Sequence, residues 1–579
     1  MSLLEKINVI VSVCFAEAGY PNHGQVTESK RPDLCQFQSN DSFVIAKEEK
    51  INPKIVCERV IEILERNPHL KNVTFAPPGF INIDVTDEFL LDSLSEMMAS
   101  KTLGIKQIGV GQSIIMDYGG PNVAKPLHVG HVRSVVIGEA MKRIARTSGY
   151  DVIGDIHLGD WGLPIGLVIL ELQTRNPEWA CFSDDFEETN HLTIEVYPED
   201  LYEIYPYASA KSKEDDQYLK DARLITARLQ EGHQGYRFLW KKIISASKQD
   251  IKKDYDKLDV EFDYWYGESD ADVYIPQLME ILKQKDLIRE SEGALVVDIL
   301  TDEDKSPMPP VIVEKSDGSS IYATTDLATI IQRERDFTPD KYWYVVDKRQ
   351  GLHFEQVFRV ARKANLVSED TDFNFLGFGT MNGPDGKPFK TRDGGVMSLS
   401  SLLQLVQDKS FKTLALTQKN PSELDALKIG TAAIKFGDLI NHPSLDYVFD
   451  IEKFLSFEGK TGSYILYNNV RILAILEKMN VNKQLVVSEI VNQYDRNLIL
   501  RLLKNPEVFN TAVTQQSPNV VAESTYQISV AFAKFYAENN IAKEKDRNRQ
   551  ASWLGLMQAT TKILTFNLDK LGIQTVEKM

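Results

Sequence analysis

The chain has 579 residues, a formal net charge of -17 and 43% hydrophobic residues. A chain of this length is too long for one hydrophobic core, and roughly three to four domains are expected. Because no apolar run approaches the ~20 residues that cross a bilayer, transmembrane helices are excluded. The negative charge does not exclude an RNA partner, since a large enzyme can confine its basic groups to one track of its surface.

The N-terminus has some features of an export signal, because Lys6 precedes an apolar stretch that is followed by Ala16-Glu17-Ala18. Polar residues interrupt that stretch, however, and its apolar residues recur with a helical period. We therefore expect an amphipathic first helix. Its apolar face consists of Leu3, Leu4, Ile7, Ile10, Val11, Cys14, Phe15 and Ala18.

The cysteines indicate neither a zinc site nor a disulfide scaffold. They are widely spaced and include no Cys-x-x-Cys pair. The four are Cys14, Cys35, Cys57 and Cys181. This usage favours a reducing cytoplasm, and no zinc is expected.

The start of the chain predicts two different units. Residues 1 to about 105 combine helical patterns with a β-like stretch from Asn72 to Asp84, which predicts a separate N-terminal α+β domain. A link from Leu103 to Gly111 leads to an apolar strand at Ser113 to Asp117, a helix, and a strand at Val152 to Ile156. Strand, helix and strand at this spacing form a βαβ unit with a right-handed crossover.

The alternation of strands and helices lapses from about Phe182 to Tyr264, where charged helical stretches predict an insertion, placed at about 182–310. A hairpin with an Asp317-Gly318 turn is expected after it. The alternation then resumes. The predicted elements are a strand at Ser320 to Ala323, a helix from Leu327, a strand at Tyr342 to Asp347, a helix from about His353 and a strand at Phe373 to Phe378.

Together these patterns predict an α/β fold, with a split Rossmann-like doubly wound parallel sheet that carries an insertion. After Met397 the chain reads as wholly helical, which predicts a C-terminal all-α bundle. Its periodic stretches are Tyr464 to Leu476, Ile528 to Tyr536 and Trp553 to Leu571. The predicted domains are residues 1–105, 110–400, 401–455 and 456–579.

Two histidines stand three residues apart where the helix of the βαβ unit begins. The turn from Asp117 to Arg133 contains His128-Val129-Gly130-His131. Helix-start N–H groups favour anions, a glycine permits close approach to the backbone, and imidazoles can donate hydrogen bonds to phosphate oxygens. Alone, the pair could also be surface or capping histidines. A metal site would lack a third ligand and the Glu that adjoins the first His of zinc proteases.

A second motif lies far downstream, on a glycine-flanked loop after the last predicted strand. It reads Gly386-Lys387-Pro388-Phe389-Lys390-Thr391-Arg392. Its cations can neutralise the charge that builds up as pyrophosphate leaves an α-phosphorus under attack. Alone it could be a solvated basic loop, but both motifs follow strand ends of one sheet, where such folds bind ligands. Together they predict an ATP site for an adenylate-forming reaction.

The two motifs resemble the His-Ile-Gly-His and Lys-Met-Ser-Lys-Ser signatures of class I aminoacyl-tRNA synthetases. Further phrases are similar to those of arginyl-tRNA synthetases, and the resemblance extends from the N-terminal domain to the last residue. These phrases are Pro121-Asn122-Val123-Ala124-Lys125-Pro126, Gly159-Asp160-Trp161-Gly162, Phe378-Gly379-Thr380-Met381, Phe389-Lys390-Thr391-Arg392, Phe457-Glu458-Gly459 and the closing Met579.

The resemblance implies roles for individual residues, including a D-loop contact by Phe37-Gln38-Ser39-Asn40 and anticodon contacts in the bundle. The residues that match the family's catalytic residues are His128, His131, Lys390 and Lys125. Those that match its ATP-binding residues are Gly130, His128, His131, Phe378, Met381, Lys387 and Lys390. Arginine binding falls to Asp117, Asn122, Tyr322, Asp326 and Gln350, with His353 ranked lower. Binding of tRNA falls to Phe37, Gln38, Tyr464, Tyr467, Arg471 and Met579.

Residue chemistry supports two of these assignments. A planar guanidinium needs carboxylates that accept hydrogen bonds in pairs, and Asp117 and Asp326 lie near predicted strand ends. Tyr464, Tyr467 and Arg471 are spaced i, i+3 and i+7, so that they can stack unpaired bases. The carboxylates could also be loop or helix-capping residues without a ligand, and the tyrosines could be packed in the core of the bundle.

Two lysines compete for one role. Many arginyl-tRNA synthetases lack the second lysine of the downstream signature, and a lysine just before the histidine motif is thought to substitute for it. This chain has both Lys125 and Lys390, so their division of labour is open. Some relatives also carry Glu at the position of Asp117.

The resemblance implies that arginine attacks the α-phosphorus of ATP with Mg2+ present, and that the 2′-hydroxyl of tRNA(Arg) then takes the arginyl group. It also implies that tRNA binds before activation and that the protein is a monomer. One alternative is a nucleotidyltransferase, which shares the fold and a His-x-x-His motif but leaves the terminal domains unexplained. Another is a catalytically silent paralogue that binds tRNA or senses arginine, although His128, His131 and Lys390 are all present.

Overall fold

The computed structural model describes residues 1–31, 33–188, 194–316, 318–383, 385–387 and 397–579. The chain divides into two compact units. The first comprises Met1–Ile108, Thr147–Gly149 and Ser456–Met579, and the second comprises Gly109–Arg146 and Tyr150–Leu455. Among the helices of the described ranges, none combines the length and apolar character that a bilayer crossing requires.

The first unit begins with an amphipathic helix, as the sequence predicts. Helix α1 (Leu3–Glu17) starts at a capping box, in which the Ser2 hydroxyl accepts a hydrogen bond from the Glu5 N–H and the Glu5 carboxylate accepts one from the Ser2 N–H. Of the predicted apolar face, only Leu4 and Ile10 are half-buried rather than buried. The buried residues are Leu3, Ile7, Val11, Cys14, Phe15 and Ala18.

The rest of the N-terminal part combines a sheet with helices. Its elements are β1 (Thr27–Glu28), β2 (Phe37–Ser39), α2 (Asp41–Glu49), α3 (Pro53–Leu64), β3 (Leu70–Ala76), β4 (Phe80–Val85) and α4 (Asp87–Ala99). The four strands form an antiparallel sheet in the order β1-β2-β4-β3. The predicted β-like stretch from Asn72 to Asp84 is the β3–β4 hairpin, which confirms an α+β architecture.

The second unit alternates strands and helices around a helical insertion. Its elements are β5 (Ser113–Tyr118), α5 (Gly130–Thr147), β6 (Asp151–Asp155), α6 (Leu163–Arg175), α7 (Pro198–Glu214), α8 (Asp216–Glu231), α9 (Gln234–Lys257), α10 (Glu268–Asp272), α11 (Ile275–Gln284), β7 (Ile288–Ser291), β8 (Ala294–Val297), β9 (Val311–Glu314), α12 (Tyr322–Asp336), β10 (Lys341–Asp347), α13 (Gly351–Lys363), β11 (Asp372–Phe378), β12 (Met381–Asn382), α14 (Leu399–Leu414), α15 (Glu423–Leu439), β13 (Tyr447–Val448) and α16 (Ile451–Leu455). Short 3-10 helices span Ala180–Phe182 and Lys348–Gln350.

The central sheet is parallel and has the strand order β11-β10-β5-β6. The chain therefore winds outward from β5 in both directions, and the predicted doubly wound sheet is confirmed. In register, Asp117 of β5 lies between Tyr344 of β10 and Asp155 of β6. The carboxyl ends of the strands thus meet at one edge. The reversal of winding between β5 and β10 opens a crevice at that edge.

Two details of the sequence prediction are wrong. Ser320 to Ala323 is not a strand, because α12 already begins at Tyr322. The Thr324 hydroxyl accepts a hydrogen bond from the Ile321 N–H at 3.4 Å and donates one to the Val313 carbonyl at 2.7 Å, so a cap holds this segment. After Met397 the chain is not wholly helical, because β13 pairs in parallel with β12.

The expected hairpin with its Asp317-Gly318 turn stays a prediction. Strands β7, β8 and β9 form an antiparallel sheet whose first hairpin turns at Glu292 and Gly293, both with positive φ. Asp317 lies outside the described residues. The neighbouring Gly318 donates its N–H to the Lys315 carbonyl at 2.9 Å, and the chain passes from β9 into α12.

The C-terminal part of the first unit is a helical bundle, as predicted. It consists of α17 (Gly462–Lys478), α18 (Gln493–Leu503), α19 (Asn505–Thr514), α20 (Asn519–Glu538) and α21 (Arg547–Lys570). Within this unit the bundle contacts the N-terminal part, where the Arg496 guanidinium binds the Asp87 carboxylate and donates to Gln36 Oε1 at 3.1 Å.

Candidate active site

A cavity of about 490 Å3 opens at the carboxyl ends of the parallel strands. Each strand contributes to its wall: Asp117 at the end of β5, His157 after β6, Asp347 at the end of β10 and Phe378 at the end of β11. The residues from His128 to His131, at the start of α5, line it as well. The cavity thus occupies the crevice that the winding of the sheet predicts.

The two histidines of the first motif are held in one tautomer by the backbone. The Gly130 N–H donates to His128 Nδ1 at 3.0 Å, and the His128 N–H donates to His131 Nδ1 at 3.0 Å. A neutral imidazole carries one proton, so acceptance at Nδ1 leaves that proton on Nε2. Each ring therefore presents an Nε2–H donor.

Both histidines are neutral at physiological pH. Burial, and then the nearby His128 and Lys125, lower the pKa of His131 to about 3. Burial and then Lys125 also lower the pKa of His128. Gly130 is required between them, because a Cβ there would lie 2.8 Å from Cε1 of His128. The pair therefore suits an anion as two hydrogen-bond donors, not as two cations.

One wall of the cavity is apolar. Phe378 and Met381 are 7% and 5% exposed and line it together with Gly379 and Thr380. The Gly379 N–H donates to the Pro443 carbonyl at 3.0 Å, which fixes the segment after β11 against residues 443–447. Such a wall fits an adenine ring, in keeping with the predicted roles of Phe378 and Met381.

A buried ion pair fixes this wall to the histidine helix. Arg133 follows the histidines on α5, is 1% exposed, and donates from Nε to Oδ1 of the buried Asp438 at 3.1 Å. It also donates to the Leu445 and Pro443 carbonyls at 2.8 and 3.2 Å. No role for Arg133 is predicted from the sequence. An arginine on an otherwise apolar helix face was the available signal.

Asp117 and Asp155 form ion pairs with the same arginine side chain, Arg333. Nη2 of Arg333 lies 2.7 Å from the Asp117 carboxylate and 2.6 Å from the Asp155 carboxylate. Arg333 and Asp155 are fully buried, whereas Asp117 reaches the cavity. Burial raises the pKa of Asp117, and the charge of Arg333 opposes this effect. Two carboxylates and one guanidinium carry a net charge of about -1, which suits an ammonium group.

A second acidic group lies at the start of α12. Tyr322 and Asp326 are one helical turn apart, and the Asp326 carboxylate lies 2.5 Å from Nε2 of His353. Glu268, at the start of α10, was not predicted from the sequence. Burial, and then the charges of Asp326 and Asp160, raise the pKa of Glu268 to about 8. A carboxyl group whose ionisation is disfavoured by burial and by a neighbouring carboxylate is stabilised in its charged form by a cation such as a guanidinium, so this group is a site for one.

The other predicted arginine-binding residues lie on loops. Asn122 is exposed, and its loop is fixed by hydrogen bonds from the Val123 N–H to the Gly159 carbonyl and from the Gly159 N–H to the Pro121 carbonyl. Gln350 is exposed and lines the cavity. Tyr322 is 71% exposed.

The structure describes two of the three predicted lysines. Lys125 places its Nζ 4.4 Å from the ring centroid of Tyr205, which belongs to helix α7 of the insertion. Lys387 is exposed. Lys390 lies outside the described residues. Within those residues, no group of three or more His, Cys, Asp or Glu side chains could hold a metal ion.

The predicted tRNA-binding residues of the bundle lie together on α17. Tyr467 is 40% exposed, and the Arg471 guanidinium lies 5.6 Å from its ring centroid. Arg471 also lies 4.8 Å from the ring centroid of Tyr536, a residue for which the sequence predicts no role in tRNA binding. Tyr464 is half-buried against Tyr526. The cluster presents aromatic rings and one guanidinium.

Three further predicted residues lie elsewhere in the first unit. Phe37 is 4% exposed, so its ring is packed inside the domain. Gln38 is half-buried and donates from Nε2 to Asn82 Oδ1 at 2.8 Å. Met579 is half-buried.

Three family models match consecutive parts of the chain. They are described as the catalytic domain of class I tRNA synthetases (R), which matches residues 93–451, the DALR anticodon binding domain, residues 465–579, and the arginyl tRNA synthetase N terminal domain, residues 2–85. Among curated proteins, the arginine–tRNA ligases of Alkaliphilus oremlandii and Agathobacter rectalis are 44% and 42% identical to this chain, and each match covers 100% of both chains.

Solved structures have the same fold. The arginyl-tRNA synthetase of Plasmodium falciparum has a TM-score of 0.81 at 23% identity and covers 100% of this chain and 99% of its own. That of Thermus thermophilus has a TM-score of 0.77 at 20% identity and covers 100% of both chains. With a catalytic-domain model that matches most of its length and relatives of 44% identity from end to end, the chain belongs to the arginyl-tRNA synthetases of class I.

Proposed function

We propose that this chain activates L-arginine with ATP and transfers it to tRNA(Arg), with release of AMP and diphosphate. The observation that carries the proposal is the cavity at the strand ends, where two neutral histidine donors lie at the same edge of the sheet as the carboxylate of Asp117. Anion donors and a cation acceptor are what ATP and an amino acid need in one site.

In the first step, the arginine carboxylate attacks the α-phosphorus of ATP in line. The new bond joins a carboxylate oxygen to phosphorus, and the bond from the α-phosphorus to pyrophosphate breaks. The Nε2–H groups of His128 and His131 donate to phosphate oxygens on which charge accumulates. Mg2+ bound with the nucleotide supplies further neutralising charge, and Lys387, Lys390 and Lys125 extend it. Gly130, Phe378 and Met381 hold the nucleotide.

In the second step, the 2′-hydroxyl of the terminal tRNA adenosine attacks the carbonyl carbon of arginyl-adenylate. The ester bond forms as the hydroxyl proton is released to a phosphate oxygen of the adenylate or to solvent, and AMP leaves with the bonding electrons of the mixed anhydride. We propose that tRNA is bound before the first step.

The acidic groups divide the recognition of arginine between them. Asp326 and Glu268, with Tyr322 beside them, accept the guanidinium. Asp117, whose pair with Arg333 and Asp155 keeps a net charge of about -1, accepts the α-ammonium group. Asn122 and Gln350 contact the amino-acid backbone, while His353 holds Asp326 in place.

The remaining domains serve tRNA. Residues 456–579 bind the anticodon, where Tyr464, Tyr467 and Arg471, with Tyr536, form a stacking platform and Met579 contributes. Residues 1–105 contact the D-loop through Gln38, which the buried ring of Phe37 supports from within the domain. Residues 110–400 form the catalytic domain with its insertion at about 182–310, and residues 401–455 connect it to the bundle. We further propose a monomer that works in the cytoplasm.

Wild-type protein is expected to catalyse arginine-dependent exchange between ATP and pyrophosphate when tRNA(Arg) is present, and to charge that tRNA. His128→Ala removes one Nε2–H donor, so exchange should fall by about 100-fold or more. Radiolabelled pyrophosphate exchange measures this, with charging of tRNA(Arg) as the second readout. Absence of wild-type exchange, with and without tRNA, contradicts the catalytic proposal. Nucleotidyl transfer to a small metabolite without tRNA charging supports a nucleotidyltransferase instead.

Arginine binding is expected to tighten as pH rises from about 6.5 to about 8.5. The folded-state pKa of Glu268 is about 8, so this carboxyl is mostly protonated at the lower pH. A bound guanidinium favours the carboxylate, so binding releases a proton and affinity rises by about tenfold across the range. Titration calorimetry at several pH values measures the effect. Glu268→Gln should flatten the profile, and a flat wild-type profile contradicts the role of Glu268.

A further inference from the structure

The insertion contacts the catalytic loop at two neighbouring residues. The Ala124 N–H, in a residue with positive φ of 61°, donates to the Ser247 hydroxyl of α9 at 3.0 Å. The next residue, Lys125, lies over the Tyr205 ring of α7 at 4.4 Å. Both Ala124 and Ser247 are buried. The insertion therefore fixes the loop just before the histidine motif through both its backbone and a side chain.

The charge of Lys125 reaches the histidines. It lowers the pKa of His128 and of His131, in each case after the larger effect of burial. Among the described residues no carboxylate forms an ion pair with Lys125. The ring of Tyr205 is thus its observed partner. The ammonium group therefore lies within electrostatic range of the two anion donors.

An aromatic ring suits this position better than a carboxylate does. A carboxylate would neutralise the ammonium group and compete with phosphate for its N–H donors. The face of a tyrosine ring attracts the cation but leaves its charge and most of its donors available. An aromatic ring can therefore fix the orientation of the lysine side chain in the free enzyme and leave its ammonium group able to bind phosphate.

We propose that Tyr205 is a positioning residue that directs the Lys125 ammonium group toward the phosphates of ATP. This inference rests on the proposed function and adds a catalytic purpose for the insertion. Helix α7 supplies the ring, and α9 fixes the backbone beneath it. The hydroxyl of Tyr205 is not needed for this role.

Tyr205→Leu is expected to lower the kcat of arginine-dependent pyrophosphate exchange by about tenfold, with the KM for arginine unchanged. Tyr205→Phe keeps the ring and should stay within about twofold of wild type. Tyr207→Leu is the matched control on the same helix, because Tyr207 is 48% exposed and lies beside Arg175 and Lys211 instead of Lys125. Its exchange rate should be unchanged. Thermal unfolding of each variant verifies that the protein is folded.

The decisive comparison is a double-mutant cycle. In a Lys125→Met background, Tyr205→Leu should cause no additional loss, because the group that it positions is gone. Equal losses by Tyr205→Leu with and without Lys125, or an equal loss in Tyr205→Phe, overturn the proposal. A rise in the KM for arginine instead of a fall in kcat also overturns it. If wild-type protein shows no exchange, the proposed function fails, which is a separate result.

Discussion

Asp326→Asn is expected to lower kcat/KM for arginine by about 30-fold to several thousand-fold, because truncation of one partner of a buried charge pair costs about 2 to 5 kcal/mol. Asp326 lies near Glu268, so the guanidinium would lose one of its two carboxylates. The change keeps the size of the side chain, and its amide can still bind His353. Pyrophosphate exchange at varied arginine concentration measures it.

Asp336→Asn is the matched control for this experiment. Asp336 ends the same helix, is exposed, and accepts a hydrogen bond from the Tyr266 hydroxyl at 3.4 Å. Its kinetic constants should be unchanged. The KM for ATP should also be unaffected in Asp326→Asn, because the nucleotide contacts lie on α5 and after β11. If arginine kinetics match wild type while both proteins are folded, Asp326 does not bind the guanidinium.

Arg133→Met is expected to destabilise the second unit by about 3 to 5 kcal/mol, the usual cost of leaving one partner of a buried ion pair. Arg133 and Asp438 are 1% exposed each, and methionine has a similar length but no charge. Urea unfolding followed by tryptophan fluorescence measures the loss. Arg146→Met on the same helix should cost about 1 kcal/mol or less, because its pair with Asp263 is partly solvated.

The pH dependence of this loss identifies its cause. Burial raises the folded-state pKa of Asp438 to about 6, above its ordinary 3.8, and Arg133 opposes the increase. The folded state therefore binds this proton more tightly than the unfolded state, so the contribution of Asp438 to stability decreases as pH rises through that window. Without Arg133 the pKa rises further. The deficit of Arg133→Met should be larger at pH 8 than at pH 5, and an equal deficit at both would point to packing instead.

The sequence predicted the parts of the fold that depend on local pattern. Strands β5, β6, β10 and β11 follow from apolar runs between turn residues, because parallel strands are buried on both faces. The histidine motif could be placed at a helix start from its neighbours alone. The segment at Ser320 to Ala323 resembles a strand in sequence because an extended approach to a helix cap has the same short apolar pattern as a strand.

The missed residues depend on distant contacts. Arg333 lies in Gln332-Arg333-Glu334-Arg335, which reads as a solvated helix face. Its burial is decided by Asp117 and Asp155, which are more than 170 positions away. Glu268 reads as an ordinary helix-start carboxylate until Asp326 is placed near it. Tyr205 reads as one of several aromatics in a charged helix. No local pattern brings such pairs together, because the packing of the sheet and its insertion does so.

The fixed tautomers of His128 and His131 have a consequence for proton balance. A phosphate site built from imidazolium groups gains its donors by taking up protons when the nucleotide arrives. Here backbone N–H groups donate to Nδ1 of each ring, so the single proton of each neutral ring is on Nε2 before the nucleotide binds. The pKa of His131 is about 3. A bound phosphate that raised this value by a few units would still leave the ring neutral at physiological pH. Nucleotide binding is therefore not coupled to protonation of His131, whereas arginine binding is coupled to the ionisation of Glu268.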